Sequence, residues 1–397
     1  MRILFLTQTF PLPVDSGGKF RSFCALKALG SRHEVKLLTF VRSEEDVSLI
    51  PELRRTCADI DVVPLHRGKG RQLADVLGNL VLGKSFIINR DYRSAMLDAV
   101  RKAVAEFAPD VIHVDHLQMA QFVEFGGSYR VVLDNHNVEA MIIKRVSETS
   151  ENRPMRWYAR VEWPKLQRYE LEICRRSDLV LTVSEEDKMI FLGLDPTLTN
   201  LEYLPVGVDT EHTPPVDRIR GSHNVLSIGT MFWPPNIESM LHFCRDILPL
   251  VRTEIADCTV TIAGARPSAA IQALARDPAI TVTGYVKDER AVAANCGVFI
   301  VPLRSGSGVR VKILNSLAMG LPIVSTSIGA EGLALESGEH LLIADTAADF
   351  AQAVVRILRD PELADRLGRN GRRLVCDKYS WESVGDQLLA LYDKRLT

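Results

Sequence analysis

The stretch VPLRSGSGVRVKILNSLAMGLPIVST, residues 301–326, joins an apolar strand-like run, a glycine loop, a helix-like run and a second strand-like run. Arg310 and Lys312 fall in the first turn of the predicted helix. A helix N-terminus already carries partial positive charge, so each cation there is unfavourable by roughly 0.3–1 kcal/mol. Either both side chains are simply solvated, or an anion binds beside them. We favour the anion, because natural sequences usually match the helix dipole.

The loop Gly306-Ser307-Gly308 opens that helix, and exposed backbone amides at such a turn form an anion-binding concavity. A diphosphate at this turn stabilises Arg310 and Lys312, because charge-assisted hydrogen bonds to phosphate outweigh the helix-dipole term. Lys312, Asn315 and Ser316 share one face of the helix. We therefore expect these three side chains to line a ligand cleft.

The same alternation of short apolar runs with helix-period segments continues along the chain and restarts at Asn224. Over this length it predicts parallel sheets covered by helices on both faces. The predicted fold is α/β, with two Rossmann-like domains facing a central cleft. Ligands of open α/β sheets bind outside the carboxyl ends of the strands, so two such sheets can present two ligands to each other.

The polar stretch VGVDTEHTPPVDRIRG, residues 206–221, contains a Pro-Pro pair and no periodicity, which is typical of an interdomain linker. We predict an N-terminal domain over residues 1–206, a linker over 207–221 and a C-terminal domain over 222–379. The last segment, about residues 380–397, is an amphipathic helix pattern. From its residues alone, this helix either ends the second domain or returns to the first.

Composition excludes several classes of protein. The chain has 397 residues, 46% of them hydrophobic and 25% charged, with a formal net charge of -2. These values indicate an ordinary globular protein of at least two domains and do not favour nucleic-acid binding. The seven cysteines form no CxxC pair or zinc spacing, so we expect reduced thiols. The N-terminus MRILFLTQTF is too short for a signal peptide, and we expect a cytoplasmic protein without a membrane span.

Two glycines follow the first predicted strand. Gly17 and Gly18 end the loop after Ile3–Thr7, and a helix pattern begins there. Glycines at this position let backbone amides approach an anion at the helix N-terminus, but a tight turn between strand and helix explains them equally well. The motif is not GxGxxG, so a dinucleotide fingerprint is not supported.

Histidines cluster at predicted strand ends, in VIHVDHLQMA (His113, His116) and VVLDNHNVEA (His136). Catalytic groups gather at the carboxyl ends of strands in α/β folds, although a single histidine is more often a packed or capping residue. Asp59 and Asp61 have the spacing of a metal-binding DxD motif. No further acids complete an oxygen shell around them, so we predict no metal site.

Residues 144–176 contain nine Lys or Arg and five Asp or Glu, with Trp and Tyr interleaved. Basic and aromatic residues on one helix are typical of a membrane-interfacial segment. The alternative is an exposed, salt-bridged helix pair interrupted at Pro164, and we favour this alternative.

Several stretches together resemble a family-4 glycosyltransferase of the GT-B fold. They are the glycine loop, HNVEA, SDLVLTVSEED, LPVGVD and residues 301–333, and they occur in the order typical of the family. The stretch SIGTMFWPPNIESMLHFCRDILPLV is similar to a subgroup of bacterial exopolysaccharide and lipopolysaccharide sugar transferases. The resemblance covers nearly the whole chain, and residues 301–333 are its most specific part.

The resemblance implies a nucleotide-sugar bound by the C-terminal domain, an acceptor bound by the N-terminal domain and a final helix that crosses back. It also implies retention of anomeric configuration, no metal and no cofactor beyond a UDP- or GDP-linked substrate. By position, His136 would lie beside the transferred sugar, and other residues would contact the donor. These donor-binding residues are Gly17, Gly18, Gly229, Gly284, Tyr285, Val286, Gly306, Ser307, Gly308, Val309 and Asn315.

The chain departs from the family pattern in its charged groups. Two glutamates, seven residues apart, are usual in the loop and helix, and here their positions hold Ser307 and Asn315. The usual Arg and Lys after the first strand of the donor domain are also absent. We therefore predict that Arg310, with Lys312 or Arg304, meets the charge of the diphosphate.

The expected reaction moves a hexose from a nucleoside-diphosphate sugar to a hydroxyl of a glycan, a lipid-linked or a small-molecule acceptor. Cell-surface polysaccharide synthesis is the expected setting, with peripheral contact to the inner face of the membrane. One alternative is an isomerase of the same fold, resembling a nucleotide-sugar 2-epimerase. Another is a non-catalytic partner subunit. The absence of the family's usual glutamates and of its usual Arg and Lys favours this alternative.

Overall fold

The computed structural model describes residues 1–14, 17–65, 85–149, 152–305 and 308–396. The chain divides into two compact units, Met1–Gly207 with Val384–Thr397, and Val208–Ser383. Each unit contains one parallel β-sheet with helices on both of its faces. The predicted fold class of two Rossmann-like domains is thus confirmed.

The first unit contains a seven-stranded parallel sheet with the order β3-β2-β1-β4-β5-β6-β7. Its strands are β1 (Arg2–Thr7), β2 (Glu34–Val41), β3 (Asp59–Pro64), β4 (Val111–Asp115), β5 (Arg130–Asp134), β6 (Leu179–Thr182) and β7 (Leu201–Tyr203). The order reverses between β1 and β4, where Thr7 is in register with Asp115. Such a reversal opens a crevice at the carboxyl ends of the two strands.

Helices cover both faces of this sheet. They are α1 (Gly17–Gly30), α2 (Glu44–Ser48), α3 (Ile50–Leu53), α4 (Phe86–Asn89), α5 (Ser94–Phe107), α6 (Glu139–Thr149), α7 (Arg153–Arg176) and α8 (Glu185–Leu194). Strand side chains alternate between two apolar clusters, with Leu4 and Leu6 in one and Ile3 and Phe5 in the other. Because β1 is buried on both faces, its sequence is continuously apolar.

The basic and aromatic segment forms a helix pair, but the prediction that Pro164 interrupts it was wrong. Pro164 lies inside α7, and the new helix begins after Asn152, whose side chain accepts the N–H of Met155. One face of α7 is buried, and its Glu170 accepts the backbone N–H groups of Glu139 and Ala140 at the start of α6. Burial and these capping bonds outweigh the hydrogen bond that proline removes.

The second unit contains a six-stranded parallel sheet with the order β10-β9-β8-β11-β12-β13. Its strands are β8 (Asn224–Ile228), β9 (Thr259–Ala263), β10 (Ile280–Gly284), β11 (Val298–Val301), β12 (Ile323–Ser325) and β13 (Leu342–Ile343). The order reverses between β8 and β11, where Val225 is in register with Val298. The second sheet therefore has its own crevice at the carboxyl ends of β8 and β11.

The remaining helices follow these strands. They are α9 (Pro234–His242), α10 (Leu248–Glu254), α11 (Ala269–Leu274), α12 (Glu289–Ala293), α13 (Val311–Ala318), α14 (Ser327–Ala330), α15 (Ala347–Arg359), α16 (Pro361–Leu374) and α17 (Trp381–Leu396). From Val384 onward, α17 belongs to the first unit. Its buried residues join the apolar cluster that contains Ile3 and Phe5. No helix among the described residues has both the length and the apolar character to cross a membrane.

The segment expected as a linker is held on the second unit from Val208 onward. Val216 donates its N–H to the carbonyl of Met319 at 2.9 Å, and Arg218 forms an ion pair with Asp365 at 3.0 Å. Hydrogen bonds along its length thus explain the polar composition of this segment. The hydrophobic periodicity of the sequence does not reveal these contacts.

Candidate functional site

Asp115 is the centre of a polar cluster at the crevice of the first sheet. It ends β4 and is fully buried. The hydroxyl of Thr7, at the end of β1, donates to Asp115 Oδ2 at 2.5 Å, and the hydroxyl of Ser22 on α1 donates to the same oxygen at 2.6 Å. The strand-order reversal brings these three groups together, because it places β1 beside β4 and leaves room for the start of α1.

Two histidines complete this cluster. His136 Nε2 lies 2.7 Å from Asp115 Oδ1, and His116 Nδ1 lies 3.1 Å from Asp115 Oδ2. The two imidazole rings overlap, with centroids 3.8 Å apart. A carboxylate only accepts hydrogen bonds, so Nε2 of a neutral His136 carries the proton and Nδ1 is left as an acceptor. A Cβ atom placed on Gly18 would lie 3.6 Å from that Nδ1, so the acceptor lies against the first turn of α1.

The three groups set one another's charges. Burial acts to raise the pKa of Asp115, but the charges of His116 and His136 and their hydrogen bonds lower it well below the ordinary value. Burial acts to lower the pKa of His116, but Asp115 outweighs it and raises that pKa. Burial and the charge of His116 lower the pKa of His136. These shifts favour the charged forms of Asp115 and His116 and the neutral form of His136.

His116 also has an unusual backbone. Its φ is +78°, a conformation that non-glycine residues seldom adopt. Its N–H donates to the carbonyl of Asp134 at 3.2 Å. Strained backbone of this kind persists where the surrounding structure fixes it, and functional sites are a common location.

His113 was expected at a strand end, but it lies within β4 and is fully buried. Its Nδ1 is 2.6 Å from Tyr392 Oη, and its Nε2 is 3.6 Å from Asp134 Oδ2. Asp134 also accepts two hydrogen bonds from Arg21, at 2.9 and 2.7 Å. His113 is therefore a packed histidine that connects α17 to the buried Arg21–Asp134 ion pair.

Two groups of described residues bring potential metal ligands within 4.8 Å of one another, Asp115 with His116 and His136, and His113 with Asp115 and Asp134. In the first group, both carboxylate oxygens already accept hydrogen bonds from Thr7, Ser22 and the imidazoles. In the second group, Asp134 forms an ion pair with Arg21, whose Nη2 lies 2.7 Å from Asp134 Oδ1. The first group is thus a hydrogen-bonded network, whereas His113 Nε2 and Asp134 Oδ2 of the second group lie 3.6 Å apart and lack a hydrogen-bond partner among the described residues.

The DxD pair has a structural partner. Lys36 Nζ on β2 lies 2.7 Å from Asp59 Oδ2 and 2.9 Å from Asp61 Oδ2 on the neighbouring strand β3. Both carboxylates point to one face of the sheet, because the residues are two apart in a strand. One ammonium group therefore accounts for the motif that resembled a metal site.

At the crevice of the second sheet, Lys312 approaches the end of β8. Its Nζ donates to Asn236 Oδ1 at 3.1 Å, and Asn236 Nδ2 donates to the carbonyl of Thr230 at 3.1 Å. A Cβ atom on Gly229 would lie 3.6 Å from Lys312 Nζ. The ammonium group therefore sits beside the loop from which the family's usual Arg and Lys are missing.

Lys312 is half-buried and has an altered pKa. Burial and the neighbouring charge of Arg310 lower the pKa of Lys312 from 10.5 to about 8. Its hydrogen-bond partner, Asn236, is a neutral amide. An anion bound at this point would remove the electrostatic cost of keeping the ammonium group charged.

The other predicted residues of this loop are placed as follows. Arg310 is the N-cap of α13 and donates to the carbonyl of Gly308. Val309 and Asn315 are half-buried, whereas Ser316, expected to line the cleft, is buried in the core. Ser316 was therefore wrongly assigned. Gly306 and Ser307 lie outside the described residues.

Arg304 has a partner of its own. Its Nη1 lies 3.2 Å from Glu238 Oε1 on α9, and both side chains are about half exposed. This carboxylate offsets the charge of Arg304, so Lys312 is the better candidate for the second cation beside Arg310.

Aromatic side chains surround the ends of β8 to β10. Tyr285, which follows Gly284 at the end of β10, is 75% exposed, and Val286 after it is half-buried. Phe232 is also exposed, and the guanidinium of Arg266 lies 3.8 Å from its ring centroid. Exposed planar side chains at this edge offer stacking surfaces for a planar ligand.

Sequence reasoning missed the residue that organises the first crevice. Asp115 stands between two histidines in VIHVDH, and that position at a strand end was a usable signal. Nothing in the spacing reveals that Thr7 and Ser22 reach the same carboxylate, because these contacts depend on which strands are neighbours.

Two family models match the chain. Residues 26–212 match the model described as Glycosyltransferase Family 4, and residues 222–360 match the model described as Glycosyl transferases group 1. The chain is similar to an "Uncharacterized 44.6 kDa protein in cps region" of Klebsiella pneumoniae, with 23% identity over 96% of this chain and 97% of that protein. It is also similar to the MMP alpha-(1->4)-mannosyltransferase of Mycolicibacterium hassiacum, with 27% identity over 61% of this chain and 58% of that protein.

Among solved structures, the chain is similar to Anabaena Alr3699/HepE in complex with UDP. The TM-score is 0.66 and the identity 13%, over 99% of this chain and 100% of that chain. At this identity the similarity concerns the fold, and the two family models supply the functional class.

Proposed function

Because the chain belongs to the family-4-like glycosyltransferases of the GT-B fold, we propose that it transfers a hexose from a nucleoside-diphosphate sugar to an acceptor hydroxyl. The reaction retains anomeric configuration and serves bacterial cell-surface polysaccharide synthesis. The donor carries UDP or GDP and binds the second unit, and the acceptor is a glycan, a lipid-linked sugar or a small molecule. The UDP complex of the Anabaena relative supports a nucleotide donor.

The observation that carries the proposal is the position of Lys312. Its ammonium group reaches the end of β8, bonds to a neutral amide and has a pKa lowered to about 8 by burial and by Arg310. Two cations held this close repel each other unless an anion lies between or beside them. The donor diphosphate is an anion of suitable charge, and the crevice of the second sheet is where such a ligand binds.

Arg310 and Lys312 stabilise the diphosphate as it leaves. Breaking the glycosidic bond builds negative charge on the leaving group, and preorganised cations near that charge usually supply the largest catalytic effect. Asn315, at a position usually held by glutamate, hydrogen-bonds the ribose without adding charge. The amides of Gly308 and Val309 contribute further donors to the donor sugar or phosphate.

In the first unit, His136 orients the transferred sugar or stabilises charge on it. Asp115 is a positioning residue. Its carboxylate accepts a hydrogen bond from the N–H at Nε2 of His136, at 2.7 Å, and this leaves Nδ1 of His136 as an acceptor. Burial and the charge of His116 lower the pKa of His136, which favours its neutral form. The family resemblance assigns Gly17 and Gly18 to donor binding, and a Cβ atom on Gly18 would lie 3.6 Å from that acceptor.

The experiment is a thermal-shift screen of UDP- and GDP-sugars, followed by incubation of the stabilising donor with and without glycan acceptors. Binding stabilises the folded protein by mass action, so a melting-temperature increase with one nucleotide class is expected. Lys312→Ala should remove this increase, whereas Lys378→Ala, at an exposed lysine of the same unit, should keep it.

The products then separate the competing functions. Transfer gives free nucleoside diphosphate and a glycoside whose anomer, read by NMR, matches the donor. A new nucleotide-sugar formed without acceptor would instead establish an isomerase. No binding of any nucleotide-sugar would indicate a non-catalytic partner.

Peripheral membrane contact is a further part of the proposal. Trp157 on α7 is 60% exposed, Met155 is also exposed, and the exposed Arg153 and Arg160 flank them. Exposed aromatic and basic side chains on one helix end favour an anionic lipid surface.

Vesicle co-sedimentation tests this contact. Arg160→Glu should weaken binding to vesicles that contain anionic lipid, because each basic residue near the surface contributes about 1 kcal/mol. Lys102→Glu, on the exposed face of α5, is the control and should leave binding unchanged. Equal binding of both variants and the native chain would remove membrane contact from the proposal.

A further inference from the structure

The second unit contains a second concave site, separate from the crevice near Lys312. It is a cavity of about 350 Å³ lined by the segment 215–220, by Met319 and Gly320 before β12, and by one face of α16. Arg218 on its wall donates to the carbonyl of Cys296, which precedes β11. The cavity therefore lies at the amino ends of the strands, whereas Lys312 and Gly229 lie at the carboxyl ends of the same sheet.

The lining carries more positive than negative charge. Four arginines and two aspartates face the cavity, which leaves two positive charges unmatched. They are Arg218, Arg220, Arg369 and Arg372, with Asp217 and Asp365. Asp365 forms ion pairs with two of the arginines. Arg218 lies 3.0 Å and Arg220 lies 2.6 Å from its carboxylate oxygens.

Of the four arginines of α16, the two that line the cavity, Arg369 and Arg372, have no carboxylate partner among the described residues. Arg372 donates to the backbone carbonyls of Thr213 and Ala318, which fixes its guanidinium group without neutralising it. Arg369 lies one helical turn earlier and is exposed, and no hydrogen bond or ion pair to another described residue engages it. The cavity thus holds one arginine fixed in place and one available to a ligand.

Further positive charge lies at the rim. Arg366 and Arg373 are exposed on α16, and their spacing from Arg369 places all three on neighbouring positions of one helix surface. Such a cluster focuses positive potential on the concave surface beside it.

We propose that this cavity binds a small phosphate-bearing anion with at least two negative charges. A volume of about 350 Å³ suits a small molecule rather than an extended polymer. Arginine binds phosphate through two parallel hydrogen bonds, so Arg369 and Arg372, one turn apart, match neighbouring phosphate oxygens. The site is additional to the donor crevice and does not depend on its assignment.

Calorimetric titration of the full chain with inorganic pyrophosphate at low salt tests the site. Native protein should bind two equivalents, one in each site of the second unit. Arg369→Glu should weaken one of the two by at least tenfold, because it replaces the available cation with a repelling charge. Arg356→Glu, the same change at an exposed arginine of α15 that does not line the cavity, should weaken neither by more than about threefold, as expected for a screened charge.

Lys312→Ala separates the two sites. In that variant a single equivalent should remain, and adding Arg369→Glu should abolish it. If Lys312→Ala removes all pyrophosphate binding and Arg369→Glu changes none of it, the proposed phosphate site in the cavity is wrong and the donor site stands. The opposite pattern would overturn the donor site alone. A circular-dichroism melt of each variant confirms folding, and Arg369→Lys, which keeps the charge, should retain most of the affinity.

Titration of the Lys312→Ala protein with UDP and with glucose 1-phosphate identifies the source of the anion. Preference for UDP would make the cavity a sensor of the leaving nucleotide. Preference for glucose 1-phosphate would make it a sensor of sugar-phosphate supply. Binding of neither, together with no pyrophosphate binding, would overturn the proposal.

Discussion

Asp115 is the residue through which the first crevice is organised, since it accepts from Thr7, Ser22 and two imidazoles. We expect Asp115→Asn to lower kcat about tenfold to hundredfold, because a hydrogen bond to a charged group contributes about 1.5–3 kcal/mol. The amide also presents N–H groups to donors that need an acceptor. Steady-state kinetics at saturating donor measures the effect.

Asp110→Asn is the matched control for that change. Asp110 precedes β4 at its other end and accepts the N–H of Arg2 at 2.7 Å. Its replacement should leave kcat within about twofold, as expected for an exposed site. Equal losses in both variants would mean that Asp115 has only a structural role.

Lys312 predicts a pH dependence of donor binding. With a pKa of about 8, the free protein holds a charged ammonium below pH 8 and loses it above. The Kd for the nucleoside diphosphate should therefore rise as pH increases from about 7 to 9, approaching tenfold per unit at the upper end. Lys312→Arg keeps its charge across this range and should give a flatter profile. A Kd independent of pH in the native chain would contradict the assignment.

At the scale of elements, the packing of α17 depends on one buried polar contact. Tyr392 is fully buried and its hydroxyl lies 2.6 Å from His113 Nδ1. Tyr392→Phe leaves that ring nitrogen without a partner, so we expect the free energy of unfolding to fall by about 1–3 kcal/mol. Urea denaturation followed by circular dichroism measures the loss.

Tyr92→Phe serves as the comparison in the same unit. Tyr92 is partly exposed and stacks on Phe122, so loss of its hydroxyl should change the unfolding free energy by less than about 0.5 kcal/mol. If Tyr392→Phe is equally neutral, the hydroxyl contact does not hold α17 in place.

At the scale of the whole molecule, the proposed reaction takes its positive charge from lysine and arginine side chains and needs no metal ion. Lys36 forms ion pairs with Asp59 and Asp61. In the proposed function, Arg310 and Lys312 bind the donor diphosphate. We expect transferase activity to stay within about twofold after dialysis against EDTA, since these side chains supply charge stabilisation without a Lewis acid. Activity lost on chelation and restored by Mg²⁺ or Mn²⁺ would show a metal requirement.

Much of the architecture was accessible from sequence, and most of the site chemistry was not. Alternating apolar and helical segments predicted two parallel-sheet units, because burial on both faces makes each central strand continuously apolar. Helix limits were less predictable, as α7 shows by continuing through Pro164. Its buried face and the capping role of Glu170 outweigh local propensity, and neither is visible in the local sequence.

The sequence by itself determined the pattern of strands and helices, the glycine turns and the anomalous pair Arg310 and Lys312, because these follow from local periodicity and the helix dipole. The tertiary structure decided that Asp115 joins Thr7, Ser22 and His136, and that Lys312 reaches Gly229. It also decided that Arg369 and Arg372 share a cavity with segment 215–220. The physical reason is that hydrogen bonds and charge interactions act over a few ångströms in space, and strand order, not separation along the chain, sets which side chains come that close.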